Sequence, residues 1–407
     1  MRLLHCVQRY GEDVAGGAED ICRAFAERLV RRGHTIEVAT SAARDYVTWA
    51  DHFDAETSVI NGVKVHRFGV RNERSEAQFG TLSARVLGRK TPLAVQRDWL
   101  RVQGPDLPSM QEFLRHQSAR FDAVVLHTYL YPTSALAATV VASRAPIILH
   151  SAAHQEPPLA LDVYDDLFAR VDGISFNTPE ERALVEARTR LAARCEVIGN
   201  GIELDSGGDG GRFRSRYGID DGPLVLFVGR VDRNKGSDEL VSYFREFRRR
   251  APGVTLAVVG QPVHPIEPQP GIVTTGFVDE QTKHDAFAAA NVFINPSYFE
   301  SFSIVLCEAF LHRRPALVQG RCDVLAGQVR RSGGGLTYSS YAEFDAALSR
   351  LLSDPALRSQ LGEAGRRYTT ENYSWGSLLT KYETFLGKVI DDRRRSRTKV
   401  VGHVVPA

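Results

Sequence analysis

Cysteine is scarce in this chain of 407 residues: there are five, an odd number, and none stands in a CxxC arrangement. A disulfide framework requires paired cysteines, and structural zinc sites are commonly built from CxxC pairs. The sequence therefore argues against both kinds of site. It predicts a reduced, cytoplasmic setting for the protein.

Long apolar runs are also missing. No stretch of apolar residues reaches the roughly 18 positions that a membrane span requires, and the run near the N-terminus is too short for a signal peptide. Any membrane contact is therefore expected to be peripheral, on the inner face of the membrane. Neither sign of charge dominates, with 51 basic and 49 acidic residues, so the composition predicts no nucleic-acid partner.

What the chain does contain is a regular alternation of short apolar segments and helical patterns. Its 407 residues exceed what one hydrophobic core usually supports, so two domains of roughly 200 residues each are expected. Apolar strands alternating with amphipathic helices predict parallel sheets that are covered on both faces. The predicted fold class is therefore α/β, with two doubly wound Rossmann-like domains. The predicted strands are residues 2–7, 34–41, 122–129, 145–150, 173–178, 195–201, 223–230, 254–260, 292–297 and 315–320.

Glycine marks the predicted junction between the two domains. The stretch SGGDGG, residues 206–211, interrupts the pattern and is interpreted as an interdomain linker. The predicted division is an N-terminal domain over 1–203, a C-terminal domain over 204–373 and a last helix over 374–390. The polar, basic tail 391–407 is predicted to be disordered.

One helix start is well marked, in the stretch NTPEERALVEAR. Thr178 suits the cap position, Pro179 the first helical position, and Glu181 completes a capping box. Residues 71–105 are less regular, because arginines interleave with Leu, Val and Trp99. The favoured interpretation is a solvated, partly helical insertion; the alternative is a basic amphipathic surface for an anionic lipid or acceptor.

Two basic residues follow one predicted strand in the second half of the chain. Arg230 ends the strand 223–230, and Lys235 lies in the loop after it, which lets both reach one anionic group. A guanidinium and an ammonium group suit two adjacent phosphates. The helix predicted to begin near Ser303 adds free N–H groups and about half a positive charge. Because the carboxyl ends of parallel strands meet at one edge, these groups and Glu300 predict a diphosphate site.

Two glutamates stand in the otherwise apolar and small-residue segment SYFESFSIVLCEAF. Glu300 follows the predicted strand 292–297, and Glu308 lies on the second turn of the next helix. A buried, unpaired carboxylate costs several kcal/mol, so each needs donors nearby. Hydroxyls of a sugar and a ribose are suitable donors. Taken alone, Glu308 is best explained as a core glutamate that pairs with a basic side chain.

The segment ESFSIVLCE resembles the E-x7-E motif of the retaining, GT-B-fold glycosyltransferases of family 4. AGGAED is similar to that family's N-terminal glycine loop, IGNGIE to its domain junction, FVGRVDRNKG to its phosphate loop, and GFV to its base-contacting turn. The helix 374–390 resembles the one that crosses back to the first domain. The resemblance covers nearly the whole chain. HQEPP, FNTPEER and GRCDVLAGQVRRSGGGL further resemble a subgroup that builds cell-surface polysaccharide.

The resemblance implies transfer of a sugar from a nucleotide-sugar to a hydroxyl of a glycan, lipid-linked or small-molecule acceptor, with retention of configuration. The acceptor would bind the N-terminal domain and the donor the C-terminal one. Arg230 and Lys235 would bind the diphosphate and stabilise the leaving group. Glu300 would contact the transferred sugar, and Glu308 would hold ribose hydroxyls. His154 would approach the reactive side of the sugar from the other domain.

The motifs also imply contacts made by the backbone. Amides at the start of the helix after Glu300 would line the phosphate and sugar, and glycines near the N-terminus would let backbone approach the ligand closely. The implied ligand-binding positions are Gly16, Gly17, Asn200, Gly229, Phe277, Val278, Phe302, Ser303, Ile304 and Glu308.

The implied mechanism is a front-face displacement. Both glutamates belong to one domain, whereas the two-carboxylate route of glycosidases needs carboxyls on either side of the scissile bond. No metal or other cofactor is expected, because Arg230 and Lys235 make a divalent ion unnecessary. A zinc site at His150, His154 and Glu156 is disfavoured, since that stretch lies in a proline-containing loop.

The chain departs from the family at two positions, Ser301 and Ser303, where glycine is common. A serine before a helix is a good cap, so the change affects the space beside the sugar more than the fold. Two alternatives share the fold: a nucleotide-sugar 2-epimerase, which the E-x7-E segment disfavours, and an inactive transferase-like binding subunit, which the complete charged set disfavours. A nicotinamide-linked dehydrogenase fails because no G-x-G-x-x-G fingerprint follows a strand.

Overall fold

The computed structural model describes residues 1–14, 16–204, 207–231, 235–261 and 266–401, with side chains as far as residue 396. The chain divides into two compact units. The first combines Met1–Gly199 with the chain from Leu379 onward, and the second is Asn200–Leu378. The boundaries predicted from the sequence, 203/204 and 373/374, lie a few residues away.

The first unit is built on an eight-stranded sheet. Its strands are β1 (Arg2–Cys6), β2 (Thr35–Ser41), β3 (Thr57–Ile60), β4 (Val63–Phe68), β5 (Ala123–His127), β6 (Ile147–His150), β7 (Gly173–Phe176) and β8 (Arg194–Val197). The order is β3-β4-β2-β1-β5-β6-β7-β8, parallel throughout except for the antiparallel pair β3–β4. The central strands are buried on both faces, which explains their continuous apolar sequences.

Helices and short 3-10 turns connect these strands. In chain order they are α1 (Gly17–Arg31), α2 (Glu76–Val86), α3 (Leu93–Gln103), α4 (Pro108–Gln117), α5 (Pro132–Val141), α6 (Asp165–Arg170) and α7 (Pro179–Arg188), with 3-10 turns at Ser118–Arg120, Pro157–Ala160 and Asp162–Tyr164. The predicted start of α7 is confirmed, because the Thr178 hydroxyl accepts the N–H of Glu181 at 3.1 Å. The hairpin β3–β4 was not anticipated: no residue of β3 is buried, and the mostly buried β4 carries Lys64, His66 and Arg67, so neither strand has a continuous apolar run.

The region 71–105 contributes to the core of the first unit. It contains α2 and α3, so the expectation of partial helicity is confirmed. Trp99 and Leu100 are fully buried, however, and Phe79 packs on the Trp99 ring. Burying a large apolar side chain stabilises a fold by about 1.5–3 kcal/mol. The insertion is therefore partly buried: its arginines lie at the surface, and its apolar face packs in the core.

The second unit holds a six-stranded sheet. Its strands are β9 (Leu224–Val228), β10 (Thr255–Val259), β11 (Ile272–Gly276), β12 (Val292–Asn295), β13 (Ala316–Gln319) and β14 (Gly335–Tyr338). The order is β11-β10-β9-β12-β13-β14, and all neighbours are parallel. The helices are α8 (Gly210–Tyr217), α9 (Ser237–Arg248), α10 (Glu280–Ala289), α11 (Ile304–Leu311), α12 (Asp323–Ser332), α13 (Tyr341–Ser353) and α14 (Pro355–Tyr373). Two parallel-sheet units of this kind confirm the predicted fold class.

The glycine-rich stretch 206–211 is packed within the second unit, over its described residues 207–211. The Asp209 carboxylate caps α8 by accepting two backbone N–H groups. A Cβ on Gly208 would lie 2.4 Å from the carbonyl oxygen of His284 on α10. The linker interpretation is therefore wrong: glycine is needed here because α8 and α10 pack too closely for a side chain.

The last helix, α15 (Trp375–Val401), extends well past residue 390. Its basic end meets acidic residues of the first unit: Arg393 pairs with Asp172 at 3.2 Å and Arg394 with Asp122 at 3.0 Å. The prediction of a disordered tail is therefore wrong for residues 391–401, because composition alone did not show these carboxylate partners. Residues 402–407 lie outside the described part of the chain. None of the described helices is long and apolar enough to cross a membrane.

Candidate active site

The second unit has one position where the order of its strands reverses. From β9 the chain adds β10 and β11 on one side, then returns to add β12 on the other. In open parallel sheets such a reversal opens a crevice at the carboxyl ends of the two strands, where ligands bind. Gly229, Arg230 and Lys235 follow β9, and Glu300 follows β12. The predicted diphosphate residues and the first glutamate therefore lie at this reversal.

Lys235 and Glu300 are in direct contact. The lysine Nζ lies 2.8 Å from the Glu300 Oε1, and the carboxylate side chain is 13% exposed against 31% for the lysine. The sequence predicted that both residues lie at this edge of the sheet, whereas the ion pair between them is a finding of the structure. Arg230 is exposed at the end of β9, and residues 232–234 of the loop between the two cations lie outside the described residues.

Glu308 has a different lysine partner, which the sequence analysis missed. The Nζ of Lys283 on α10 lies 2.8 Å from Glu308 Oε1 and 2.8 Å from Glu280 Oε2. Burial disfavours the charged ammonium, but the carboxylates of Glu308 and Glu280 outweigh it and raise the pKa of Lys283. Only tertiary packing brings α10 beside α11, so no local pattern pointed to this residue.

The first helical turn after Glu300 is held in a strained conformation. Ser303 has a φ of 69°, in the left-handed region, where a non-glycine residue costs about 1–2 kcal/mol. Its hydroxyl makes no cap to α11; instead the Asn295 side-chain amide donates to Ser303 Oγ at 2.9 Å. The expectation that Ser303 would cap the helix is therefore wrong. A left-handed φ turns the hydroxyl away from the helix, and glycine would reach the same backbone conformation without strain.

The residues around that turn are fixed by packing. The Phe302 ring is buried edge-on against Tyr373, so only its backbone remains for a ligand. Gln328 donates its amide to the Phe302 carbonyl oxygen. Tyr298 donates its hydroxyl to Glu239 at 2.7 Å. Ile304 begins α11 and packs, like Tyr373, against the apolar cluster of Ile202, Phe302, Cys307 and Leu311. The loop that carries Glu300 is therefore anchored at several points.

Three further predicted positions differ in exposure. Phe277 follows β11 with its side chain 76% exposed, whereas the adjacent Val278 packs against the core. An aromatic ring this exposed at the ligand edge is available to a flat partner. Asn200 is buried at the start of the second unit, and its Oδ1 has no hydrogen-bond partner among the described residues.

In the first unit, the glycine loop precedes α1. A Cβ on Gly16 would lie 2.4 Å from Glu19 Oε2, and that carboxylate forms a buried pair with Arg9. At Gly17 a Cβ would meet nothing within 4 Å. Packing therefore requires glycine at the first position. At Gly17, packing does not require glycine, and a ligand that approaches its backbone stays a prediction.

His154 lies on the loop that follows β6. Its Nδ1 is 3.5 Å from Glu156 Oε1, which also accepts the Tyr129 hydroxyl at 2.8 Å. The loop is tied down by Glu181, whose carboxylate accepts the N–H groups of Ala153 at 2.7 Å and Asn177 at 2.6 Å. Glu181 was predicted only as half of a capping box.

His150 is directed away from this loop. It is buried, and its Nε2 lies 2.7 Å from the Tyr382 hydroxyl on α15. The one group of potential metal ligands within the described ranges is a different one, His5, Cys22 and His127, in the core of the first unit. Its two histidines are already joined by a hydrogen bond of 3.0 Å.

Comparisons with known proteins identify the family of the chain. A family model described as a glycosyl transferase 4-like domain matches residues 16–201, and one described as glycosyl transferases group 1 matches residues 211–368. The D-inositol 3-phosphate glycosyltransferase of Salinispora arenicola is 30% identical over 265 residues, which are 58% of this chain and 59% of that protein. The protein of the same name from Acidothermus cellulolyticus is 27% identical over 85% of this chain and 80% of its own length.

A solved structure gives the same picture of the fold. The Anabaena protein HepE, in complex with UDP and glucose, superposes with a TM-score of 0.70 at 15% identity, covering 95% of this chain and all of that one. At this identity the similarity concerns the fold alone. The family matches, the two parallel-sheet units and the paired glutamates together place the protein: the chain belongs to family 4 of the GT-B glycosyltransferases.

Proposed function

We propose that this glycosyltransferase takes its sugar from a nucleotide-sugar donor and transfers it with retention of configuration, without a metal ion. The observation that carries the proposal is the pairing of each glutamate of the E-x7-E segment with its own lysine, at 2.8 Å in both cases. Together with Arg230, the two lysines supply positive charge that can bind two phosphates. The two carboxylates can accept hydrogen bonds from hydroxyls.

The pairing also bears on the mechanism. A retaining double displacement needs a carboxylate free to attack the anomeric carbon. Glu300 and Glu308 are each engaged by an ammonium group and lie in the same unit. We therefore favour the front-face route, in which the departing diphosphate helps deprotonate the acceptor hydroxyl. Lys235 and Arg230 would stabilise the charge that develops on the diphosphate. With two cations at this place, no divalent ion would be required.

The assignment of the donor rests on the site and on related proteins. The solved structures of HepE contain UDP and UDP-glucose. For the acceptor, the motifs shared with polysaccharide-building transferases favour a hydroxyl of a glycan or lipid-linked sugar. Such an acceptor is consistent with a cytoplasmic protein at the inner face of a membrane. Because the apolar face of 71–105 belongs to the core, contact with a membrane would use the exposed arginines there.

The test is a calorimetric titration with UDP-, GDP-, ADP- and dTDP-linked sugars in the presence of EDTA. One class should bind with micromolar affinity, and Glu308→Ala should weaken it. The anomeric form of the sugar released by slow hydrolysis, followed by NMR, then reports whether configuration is retained. Failure of all four classes to bind would overturn the donor assignment, and an inverted product would overturn retention.

A further inference from the structure

The carboxylate of Glu156 connects the loop after β6 to the loop after β5. Its Oε1 accepts the hydroxyl of Tyr129 at 2.8 Å and lies 3.5 Å from Nδ1 of His154. Glu156 stands two residues after His154 and directly before the 3-10 turn Pro157–Ala160. The motifs assign no part in the reaction to Glu156 or Tyr129, although Glu156 contacts the histidine that the resemblance places near the sugar.

Tyr129 holds this carboxylate from the core of the first unit. Its side chain is fully buried, and the rings of Tyr164 and Phe168 pack against it. Burial and then the charge of Glu156 raise the pKa of Tyr129, so the hydroxyl keeps its proton and donates it to the carboxylate. A hydrogen bond to an ionised acceptor is stronger than one between neutral groups. The position of the Glu156 carboxylate is therefore fixed by a rigid neighbour.

The backbone beside both contacts is strained and held in place. Thr128, next to Tyr129, has a φ of 59°, and Ala152, two residues before His154, has a φ of 48°. Such conformations cost a non-glycine residue about 1–3 kcal/mol and persist where the surrounding structure enforces them. A backbone hydrogen bond of 3.0 Å from the Tyr129 N–H to the Ser151 carbonyl oxygen joins the two loops. Both loops lie at the carboxyl edge of the sheet, where β5 borders the reversal of strand order at which ligands bind.

A fixed carboxylate at this place determines which nitrogen of His154 carries the proton. An ionised carboxylate only accepts hydrogen bonds, so the Nδ1 that faces it must be the donor. In a neutral imidazole, Nε2 is then the acceptor. The separation of 3.5 Å is longer than a hydrogen bond, and contacts of this kind commonly shorten when substrate binds. The His154 side chain is 35% exposed, so a ligand can reach it.

We propose that Glu156, fixed by Tyr129, is a positioning residue that keeps His154 Nε2 as a hydrogen-bond acceptor. The group that it recognises is then a hydroxyl of the substrate, because an acceptor nitrogen repels the oxygens of a phosphate or a carboxylate. This inference rests on the proposed sugar transfer and adds Glu156 and Tyr129 to its machinery. A glutamate that served only to hold the loop would leave the proton on either nitrogen of the ring.

The first test is NMR spectroscopy of the full chain labelled with ¹⁵N in histidine, at a pH where the ring is neutral. The His154 signals are assigned by their loss in His154→Ala. We expect the wild-type ring to carry its proton on Nδ1 and Glu156→Ala to move it toward Nε2. Asp166→Asn removes a half-exposed carboxylate that pairs with arginines elsewhere in this unit, so the His154 signals should not move.

The second test is a double-mutant cycle on the hydrolysis of whichever UDP-, GDP-, ADP- or dTDP-linked sugar binds. Glu156→Ala and His154→Ala should each lower kcat by about 10- to 100-fold, because a hydrogen bond to the substrate is lost or misdirected. Their KM values should change by about 3-fold or less. Since Glu156 acts through His154, the double variant should be no slower than His154→Ala. Tyr129→Phe should give a smaller loss in kcat, and Asp166→Asn none.

The outcomes separate this inference from the proposed function. If the wild-type His154 ring carries its proton on Nε2, or if the two losses in kcat multiply in the double variant, the inference about Glu156 is overturned and the nucleotide-sugar site stands. If none of the four classes of nucleotide-sugar binds, both proposals fall. Circular dichroism and thermal unfolding show which variants are folded, and the wild-type spectrum decides the position of the proton even if Glu156→Ala does not fold.

Discussion

Glutamates at the His154 loop of the first unit and in the E-x7-E segment of the second are partnered in two different ways. In the first, Glu181 is 1% exposed and accepts two backbone N–H groups, with burial raising its pKa to about 7. In the second, Glu300 and Glu308 are paired with lysines. Backbone amides cannot leave, so they make Glu181 a permanent anchor for a loop. Each lysine contacts the Oε1 atom of its glutamate, so the carboxylate can also accept a hydrogen bond from a ligand.

The largest expected effect tests the anchor through pH. The native pKa of Glu181, about 7, lies above the ordinary value of 4.5, so between these values the unfolded chain loses a proton that the native protein keeps. Stability should therefore fall as pH rises from about 4.5 to 7, by up to about 3 kcal/mol relative to Glu181→Gln. Urea unfolding of both proteins across this range measures the difference. Parallel profiles for the two proteins would contradict it.

The next effect tests the lysine-paired side of the comparison. Lys235→Met should lower kcat by roughly 100-fold, because a cation that stabilises the leaving diphosphate is removed. Lys283→Met should act mainly on nucleotide affinity, since Lys283 contacts Glu308 rather than the phosphate loop. Steady-state kinetics with the donor found by calorimetry separates the two. Equal losses in kcat for both variants would show that the lysines do not have distinct roles.

A third comparison uses neighbouring glycines of the first unit. Gly16→Ala should destabilise the protein by about 2 kcal/mol, because the new methyl group displaces the buried Glu19–Arg9 pair. Gly17→Ala should leave thermal unfolding unchanged and reduce activity, if the backbone there approaches a ligand. Unchanged activity in Gly17→Ala would remove this glycine from the site.

The smallest effect concerns the strained serine. Ser303→Gly should stabilise the protein by about 1 kcal/mol or less, since the left-handed strain is relieved while the bond to Asn295 is lost. Ser303→Ala keeps the strain, loses the same bond and should be destabilised. Thermal unfolding of the pair gives the sign, and opposite shifts are expected.

Much of the fold was accessible from local patterns. The apolar runs of the parallel strands and the cap at Thr178 were sufficient to place the strand–helix alternation. Features that depend on partners distant in the sequence could not be predicted from local patterns. Arg393 and Arg394 looked like part of a disordered tail because their partners, Asp172 and Asp122, lie more than 200 residues away in sequence. The glycines at 208 and 210 looked like a linker for the same reason.

The same distinction between local features and features set by tertiary packing applies to the candidate site. That two glutamates follow one buried strand and two cations follow another could be predicted from the sequence, because strand ends and charges are local properties. Tertiary packing was needed to show that Lys235 pairs with Glu300, that Lys283 pairs with Glu308, and that Glu308 Oε2 accepts no hydrogen bond within the described residues. Ion pairs between helices depend on how the helices pack, and packing is a property of the whole chain.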